Sequence, residues 1–421
     1  MRYFLTTFSA IIFILAIISC GGFKSKYLSK SEVEYRTADQ IEERSKGNIK
    51  KAHCTDAMAY APDLNNMDHF PARYIRLSFH FMNSKDGTNN YDEDRGVIVA
   101  KDLLYHFNKK IEKNHQMTLP LGNETPVLPF NYRFELAPAN PSDPNDDGIY
   151  FHYDDELYHF VKNGKNRNNY NTTVIKKYGI KRDSIVNVFI MSHHPDSVAS
   201  KSYRVTRNGI ALGTDVKMAG LFERDDKGYK YAGMFNHEIG HVFSLRHTWA
   251  YDDGCDDTPR HTNCWNYAKS GPCKTEVSNN YMDSNSMQSA MTPCQIGRMH
   301  MLMSKLGSKP RMVLRPTWCA LNPERTVTIS TDFIWEGAKD LEGHLIIKSG
   351  ASLTLKCRLS LPENAKVIVE AGAKLILENG YIHNSCGKQW QGIEVQSSGN
   401  RKGEVIFIGE EARLENVFNF N

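Results

Sequence analysis

A short internal repeat in the last quarter of the sequence limits the fold that this part of the chain can adopt. The stretches LIIKSGASLTL (345–355) and VIVEAGAKLIL (367–377) are near-copies offset by 22 residues, and EVIFIGEEARLENV (404–417) is a weaker third copy. Short strands that recur at this period, with glycine at the corner, are typical of the stacked coils of a parallel β-helix. We predict an all-β, right-handed parallel β-helix over residues 320–421, with an exposed sheet edge after the third copy. A small β-sandwich of repetitive hairpins is the alternative.

The middle of the chain alternates strand and helix patterns. ARYIRLSFHFMN predicts a strand at about Tyr74–Met82, and DSIVNVFIMS predicts a buried strand. VIVAKDLLYHFNKKIEK has helical spacing, and GIALGTDVKMAGLF is interpreted as one further strand. A later helix, TPCQIGRMHMLMSKLG, begins with Thr292 as N-cap and Gln295 as its capping-box partner. These patterns predict a mixed α/β (α+β) domain over residues 61–315.

Composition excludes some classes of function. The chain has 421 residues, of which 24% are charged, and its net charge is only +4. No dense stripe of lysine and arginine is present, so we expect no nucleic-acid partner.

The N-terminus predicts export. MRYFLTTFSAIIFILAIISC (1–20) has a basic residue, a short apolar run and a small residue before Cys20, which is typical of a signal peptide. Its last four residues resemble a bacterial lipobox, in which Cys20 becomes the lipidated first residue of the mature protein. Residues 21–60 are polar and are predicted to form a tether. We therefore expect a lipid-anchored protein of the bacterial cell envelope, on the outer membrane, at the cell surface or facing the periplasm; an ordinary secretory signal is the alternative.

Export also determines how the cysteines are interpreted. Setting Cys20 aside leaves eight of the nine cysteines, and none of them forms a C-x-x-C pair. An even number in an oxidising compartment favours disulfides over free thiols or a cysteine zinc site.

The stretch MFNHEIGHVFSLRHTW (234–249) carries the strongest chemical signal. His237 and His241 are spaced i, i+4, so a helix places them on one face. Glu238 lies beside them, and His247 reaches the same place only if the helix ends after His241.

This spacing predicts a catalytic zinc site. Zinc in such sites accepts three protein ligands and keeps one open position, and H-E-x-x-H supplies two histidines and a general base. His237, His241 and His247 are the predicted ligands, and Glu238 is the predicted base. Surface histidines at the end of a helix are the structural alternative.

The extended pattern resembles the metzincin metallopeptidases, and more narrowly the pappalysin (cytophagalysin-type) family. The matching stretches are HEIGH, LRHTW, GCDDTP, NNYMD and TPCQIGRM, and the resemblance spans about residues 60–307. It implies a metzincin-type zincin domain, zinc bound by the three histidines, Glu238 as base, and Met282 as the Met-turn residue beneath the metal.

The sequence departs from the family pattern at two positions. Ser244 stands where the family usually has glycine, at the turn towards the third histidine. A residue other than glycine in a left-handed turn costs about 1 kcal/mol. Ser284 stands where the family often has a tyrosine that helps to stabilise the oxyanion.

The resemblance also implies calcium and disulfides around the following loop. Asp252, Asp253, Asp256, Asp257 and Thr258 offer oxygen ligands of the kind that calcium prefers. A solvated acidic loop is the alternative. Family-like alternation would pair Cys255 with Cys273 and Cys264 with Cys294, although sequence alone does not determine connectivity.

Taken together, the sequence predicts a lipid-anchored zinc endopeptidase that acts on exported or host proteins and peptides. The alternative is a surface adhesion or binding protein, in which the peptidase domain is vestigial and the β-helix is the functional part.

The lipid anchor gives a first testable prediction. Replacing Cys20→Ala should release the mature protein from the membrane fraction, because the acylated thiol is lost. Fractionation followed by immunoblotting measures this, and equal membrane retention of variant and wild type would refute the anchor.

Overall fold

The fold is that of a computed structural model, which describes residues 23–44, 54–87, 90–164, 166–224, 227–249 and 252–419, with backbone alone over 38–44. The predicted signal peptide with Cys20, and residues 45–53 of the predicted tether, lie outside these ranges. None of the helices in the described ranges combines the length and apolar character needed to cross a membrane.

The helices are α1 (Lys30–Arg44), α2 (Glu93–Ile111), α3 (Thr173–Tyr178), α4 (Pro195–Ala199), α5 (Tyr229–Val242), α6 (Pro293–Ser304) and α7 (Lys309–Met312). The strands are β1 (Lys24–Tyr27), β2 (Arg73–Asn83), β3 (Tyr132–Leu136), β4 (Ile149–Tyr153), β5 (His159–Phe160), β6 (Val186–His193), β7 (Asn208–Leu212), β8 (Asp215–Ala219), β9 (Val327–Ile329), β10 (Phe333–Trp335), β11 (Lys339–Asp340), β12 (Leu345–Ile347), β13 (Ser352–Leu355), β14 (Arg358–Ser360), β15 (Lys366–Val369), β16 (Lys374–Glu378), β17 (Tyr381–His383), β18 (Gly392–Ser398), β19 (Arg401–Lys402), β20 (Glu404–Ile408) and β21 (Arg413–Leu414).

A seven-stranded sheet forms the centre of the mixed-sheet region, defined here as residues 54–318. Its order is β3-β2-β6-β8-β7, with β4 paired to β2 and β5 to β6. Every pair is parallel except β7 with β8. Strand β6 is buried at all of its positions, as expected of a parallel strand covered on both faces. The predicted mixed α/β character is confirmed.

The stretch predicted as one strand before the histidines is a hairpin. β7 and β8 pair antiparallel from Asn208↔Ala219 to Leu212↔Asp215. Gly213, in the two-residue turn, has φ +70°, a value that glycine adopts without strain. The prediction is wrong here because Gly213 and Thr214 supply a turn, and the turn places β7 at the edge of the sheet.

Helices α2 and α5 pack together against one face of this sheet. The rings of Phe107 on α2 and Phe235 on α5 stack with centroids 3.7 Å apart. Helix α6 has the predicted capping box, in which Thr292 and Gln295 satisfy each other's backbone N–H groups. The packing against α2 and the sheet fixes α5, the helix that carries the first two histidines.

The ladder region, defined here as residues 327–414, consists of three parallel ladders. Their strand orders are β9-β12-β15-β18, β10-β13-β16-β20 and β11-β14-β17-β21. The repeat determines the register, because Leu345 lies opposite Val367 and Ser352 opposite Lys374. Alternate side chains point inward and form an apolar core of their own. The parallel pairing differs from the antiparallel hairpins that the β-sandwich alternative requires.

Part of the segment predicted to be a tether, residues 21–60, is docked on the ladder region. Strand β1 pairs antiparallel with β18, and Arg36 on α1 donates to the Val405 carbonyl of β20 at 2.6 Å. Leu28 and Val33 are buried within the ladder core. The polar composition did not reveal this docking, because strand pairing uses backbone groups that every residue has. Two apolar side chains are enough to anchor the segment. Residues 24–37 therefore cover the edge that the sequence predicted to be exposed.

A buried carboxylate joins the two regions. Asp340 of the ladder region accepts hydrogen bonds from Arg311 on α7 at 2.6 and 3.0 Å. Arg358 on β14 donates to the same carboxylate at 2.6 and 3.2 Å. Arg73 on β2 donates to the Asp340 carbonyl at 3.1 Å. We refer to these four residues as the Asp340 network.

Two disulfides cross the same boundary. Cys54 bonds to Cys357, and Cys319 bonds to Cys386. Cys54 belongs to the mixed-sheet region and Cys319 follows directly after it, and both partners lie in loops of the ladder region, so the regions are linked covalently as well as by charge.

The Asp340 network predicts a large effect of one neutral substitution. Asp340→Asn should lower the free energy of unfolding by about 3–5 kcal/mol, because buried arginines lose their counter-charge. Denaturant unfolding followed by fluorescence measures the change. The control Glu336→Gln removes an exposed ion pair to Lys356 and should cost less than about 1 kcal/mol. Equal losses in the two variants would contradict the proposed role of Asp340.

Candidate metal centre

Helix α5 presents the first two histidines side by side. His237 and His241 lie one turn apart near its C-terminal end, and both are half-buried. The last turn is followed by a Schellman motif, in which Ser244 N–H donates to the His241 carbonyl and Leu245 N–H to the Gly240 carbonyl, both at 2.9 Å. This motif ends the helix where the sequence required it to end.

Ser244 adopts the left-handed conformation that its position in the turn demands. Its φ is +61°, which costs a residue other than glycine about 1 kcal/mol. The reversal at Ser244 returns the chain across the end of the helix and brings His247 back to the two histidines.

The three imidazoles converge on one point. The Nε2 atoms of His237 and His241 are 3.1 Å apart, those of His241 and His247 3.0 Å, and those of His247 and His237 3.2 Å. A four-coordinate zinc with nitrogen ligands at about 2.0–2.1 Å separates neighbouring nitrogens by roughly 3.3 Å. The donor set therefore has the spacing and chemistry of a three-histidine metal site.

Backbone carbonyls fix which ring nitrogens face the centre. His237 Nδ1 lies 2.6 Å from the Tyr281 carbonyl, and His241 Nδ1 lies 2.9 Å from the Leu245 carbonyl. A carbonyl only accepts, so each Nδ1 carries the proton and each Nε2 keeps its lone pair. The Trp249 ring stacks on His247 with centroids 4.2 Å apart and restricts the orientation of that ring.

Burial keeps the histidines neutral. It lowers the pKa of His237 to about 3 and that of His247 to about 4, and it also lowers the pKa of His241. Neutral imidazole is the form that binds a metal ion.

Met282 lies directly beneath this end of the helix. A Cβ built on Gly240 would overlap the Met282 sulfur, so glycine is needed where the two segments meet. Tyr281, the preceding residue, supplies the carbonyl that holds His237. The segment predicted as a Met-turn is therefore in contact with the histidine helix.

Glu238 points away from Met282, towards the sheet edge. Its Oε2 accepts a hydrogen bond from Ala211 N–H on β7 at 2.8 Å, and its side chain packs against Gly209. Burial raises the pKa of Glu238 to about 7, although the Ala211 hydrogen bond acts in the opposite direction. A carboxylate of the histidine helix thus contacts the edge strand.

The acidic residues predicted to bind calcium are engaged separately in turns. Asp252 accepts from Gly254 N–H, and Asp253 accepts from Thr258 Oγ1, both at 2.8 Å. Asp257 accepts from Thr292 Oγ1 at 2.7 Å and from Cys294 N–H at 3.0 Å, and Asp256 is exposed. No three of these carboxylates gather into one cluster in the described part of the chain. Calcium remains a prediction without an assembled ligand set.

The disulfides of this loop are nested, and the predicted alternating connectivity is wrong. Cys255 pairs with Cys294, and Cys264 pairs with Cys273. The physical reason is the contact between Asp257 and the start of α6, which brings Cys255 to Cys294. Cys264 and Cys273 then close a short loop of their own. The sequence contained no signal for the contact of Asp257 with α6.

Sequence reasoning also missed an aspartate beside the metal centre. Asp283 accepts hydrogen bonds from Thr248 Oγ1, next to His247, and from His261 Nε2 at 2.9 Å. Burial acts to lower the pKa of His261, but Asp283 outweighs it and raises that pKa. Asp283 follows Met282 directly in the quoted NNYMD stretch, whereas its partners lie far away in the sequence. Ser284 is half-buried at the position of the family's tyrosine.

Comparisons with known proteins returned only distant similarity. No protein-family model matches the chain, and no curated protein matches it. Mirolysin in complex with a compound is 19% identical with a TM-score of 0.40, over 58% of this chain and 96% of that one. Mature mirolysin of Tannerella forsythia in complex with a cleaved peptide is 19% identical with a TM-score of 0.41, over 57% and 95%. A promirolysin mutant from the same organism is 16% identical with a TM-score of 0.41, over 68% and 92%. These TM-scores are too low to establish a common fold, so the inferences below rest on side-chain geometry.

The turn after α5 yields a prediction about stability. Ser244→Gly should raise the free energy of unfolding by about 1 kcal/mol, because the serine side chain is exposed and only its backbone is strained. Ser202→Gly, in an exposed loop at an ordinary φ, is the control and should not stabilise the protein. Thermal and denaturant unfolding of both variants decide the matter; no gain in Ser244→Gly would show that the turn is unstrained.

Proposed function

We propose that this chain is a zinc-dependent endopeptidase of the metzincin type, similar to the pappalysin family, acting on exported or host proteins. One observation carries the proposal: three histidine Nε2 atoms lie within 3.2 Å of one another, next to a buried glutamate. Three surface histidines of purely structural role have no reason to direct unprotonated nitrogens at one point.

The three histidine ligands favour zinc as the bound metal. Three neutral imidazoles, with two Nδ1–H groups bonded to carbonyls, are the ligand type found in catalytic zinc sites. When bound, a zinc ion supplies Lewis-acid chemistry, because it polarises a peptide carbonyl and lowers the pKa of a water molecule. His237, His241 and His247 would hold the ion, and Met282 supports the helix end from below.

Glu238 is suited to proton transfer. It follows His237 directly on α5 and is not part of the histidine cluster, so it can accept a proton from the attacking water at Oε1 or Oε2 and deliver it to the leaving amine. The Ala211 N–H bond holds the carboxylate in place while the proton moves.

The edge strand β7 offers a place for an extended peptide. Ala211 N–H turns away from β8 towards Glu238, and strand alternation turns the backbone of Gly209 to the same side. An extended peptide recognised by backbone hydrogen bonds at a sheet edge passes beside Glu238. This placement supports polypeptides as the substrate class.

The second candidate is a surface adhesion or binding protein with a vestigial peptidase domain. It is supported by the size of the ladder region, for which we propose the right-handed parallel β-helix architecture. Three parallel ladders with one shared register support that architecture, and right-handed crossovers are the general rule. The histidines and Glu238 favour the peptidase, since a decaying site tends to lose such residues. With either function, we propose lipid anchoring at Cys20 in the cell envelope.

Three versions of the protein test the peptidase proposal. Glu238→Ala should keep one zinc per chain and lose activity by about a hundredfold to ten-thousandfold or more, since a general base contributes that much. His241→Ala should lose both zinc and activity, because two histidines hold zinc poorly. Elemental analysis and cleavage of an unstructured protein measure the two properties.

Exposed residues provide matched controls. His115→Ala and Glu124→Ala remove the same side-chain types outside the site and should change neither zinc content nor cleavage. A wild-type protein that holds zinc and cleaves no substrate would favour the adhesion function. A wild-type protein without zinc, insensitive to His241→Ala, would refute the metal site.

A further inference from the structure

The boundary between the mixed-sheet and ladder regions buries more positive than negative charge. Arg73, Arg311, Arg358 and Lys339 are each at most 7% exposed, and the one carboxylate among them is Asp340. Asp63 attracts Lys339, and Glu342 attracts Arg73, only from a distance. Neither carboxylate forms an ion pair with these cations among the described residues. Unbalanced charge in a protein interior is expensive, so a further anion would be favoured there.

A small cavity lies at this boundary and is lined by residues of both regions. Its volume is about 20 Å³, and its walls include Tyr60, His69, Phe70, Arg73, His300 and Lys339. A cavity of this size holds about one particle of the dimensions of a water molecule. A monatomic anion is therefore the kind of anion whose size matches the cavity.

Two of its lining residues, Arg73 and Lys339, are buried basic residues. Arg73 uses Nη2 to reach the Asp340 carbonyl, whereas its buried Nη1 has no hydrogen-bond partner among the described residues. Lys339 Nζ lies 3.2 Å from the centre of the Phe70 ring. No carboxylate of the described residues forms an ion pair with it. Buried N–H groups of charged side chains without acceptors are rare in folded proteins.

Neighbouring histidines do not supply the missing acceptor. His300 Nε2 is committed to the Phe130 carbonyl at 2.8 Å. His69 packs edge-on against the rings of Phe333 and Trp335. A water molecule in the cavity would accept hydrogen bonds but would leave the charge unbalanced.

We propose that this cavity is a binding site for a single small inorganic anion, a halide such as chloride, held by Arg73 Nη1 and Lys339 Nζ. The site is separate from the histidine centre and does not depend on the proposed peptidase function. Arg73 belongs to β2 and Lys339 to β11, so the bound ion would connect the two regions beside the Asp340 network.

Halide-dependent unfolding of the intact protein tests the proposal. Replacing gluconate by chloride at constant ionic strength should raise the unfolding temperature of wild type in proportion to the logarithm of the chloride concentration above its Kd. The gain should be roughly 1–2 °C for each tenfold excess of chloride over its Kd. Lys339→Met, which keeps the side-chain length without the charge, should abolish the response. Lys374→Met, at an exposed position of the same ladder region, should retain it.

Bromide locates the ion independently of any variant. Crystals of wild type soaked in sodium bromide should give an anomalous peak between Arg73 and Lys339. Absence of that peak, together with equal unfolding temperatures in chloride and gluconate, would overturn the proposal and indicate water beside a neutral Lys339. If Lys339→Met does not fold, the wild-type titration and the bromide peak still decide the question.

Discussion

The charge balance around Asp340 is the interaction on which the arrangement of the two regions depends. The side-chain carboxylate of Asp340 accepts hydrogen bonds from arginines on α7 and β14. The backbone carbonyl of the same residue accepts a hydrogen bond from an arginine on β2. Each arginine alone would be an expensive buried charge, and each is acceptable only because the others and Asp340 are in place. Arg358 also donates to the Ser304 carbonyl at the end of α6, the helix whose other end contacts Asp257. The ladder region therefore helps to position the helix that supports the loop after the histidines.

The metal centre is built by a second constraint, the enforced end of α5. A Schellman motif stops the helix after Val242, Gly240 allows Met282 to approach, and the carbonyls of Tyr281 and Leu245 orient two rings. Apart from Met282 and the two histidine rings, these contacts are made by backbone N–H and carbonyl groups and by a glycine, which has no side chain. The chemistry thus depends on local conformation as much as on the identities of the histidines.

Local signals in the sequence predicted local structure well. The 3.6-residue period brought His237 and His241 together, the capping box fixed the start of α6, and the 22-residue repeat fixed the strand register. Features that depend on contacts distant in the sequence were missed. Asp257 meets α6 from 35 residues away, which decided the disulfide pairing, and Asp283 meets His261 across 22 residues. The polar N-terminal segment was interpreted as a tether because backbone pairing leaves no trace in composition.

The pairing of β1 with β18 has a consequence for the order in which the chain becomes structured. Ser25 and Glu394, which are in contact, are 369 residues apart, so the first described strand has no partner until nearly all later strands exist. During synthesis, β1 therefore stays unpaired until β18 has been made, and the β18 edge stays open until β1 docks. Long-range pairing of this kind is slow, because chain entropy is lost before any contact is gained. An unpaired edge in a nearly complete protein is also where association with another copy can compete. Docking of β1 therefore has to follow the formation of β18, although β1 is synthesised first.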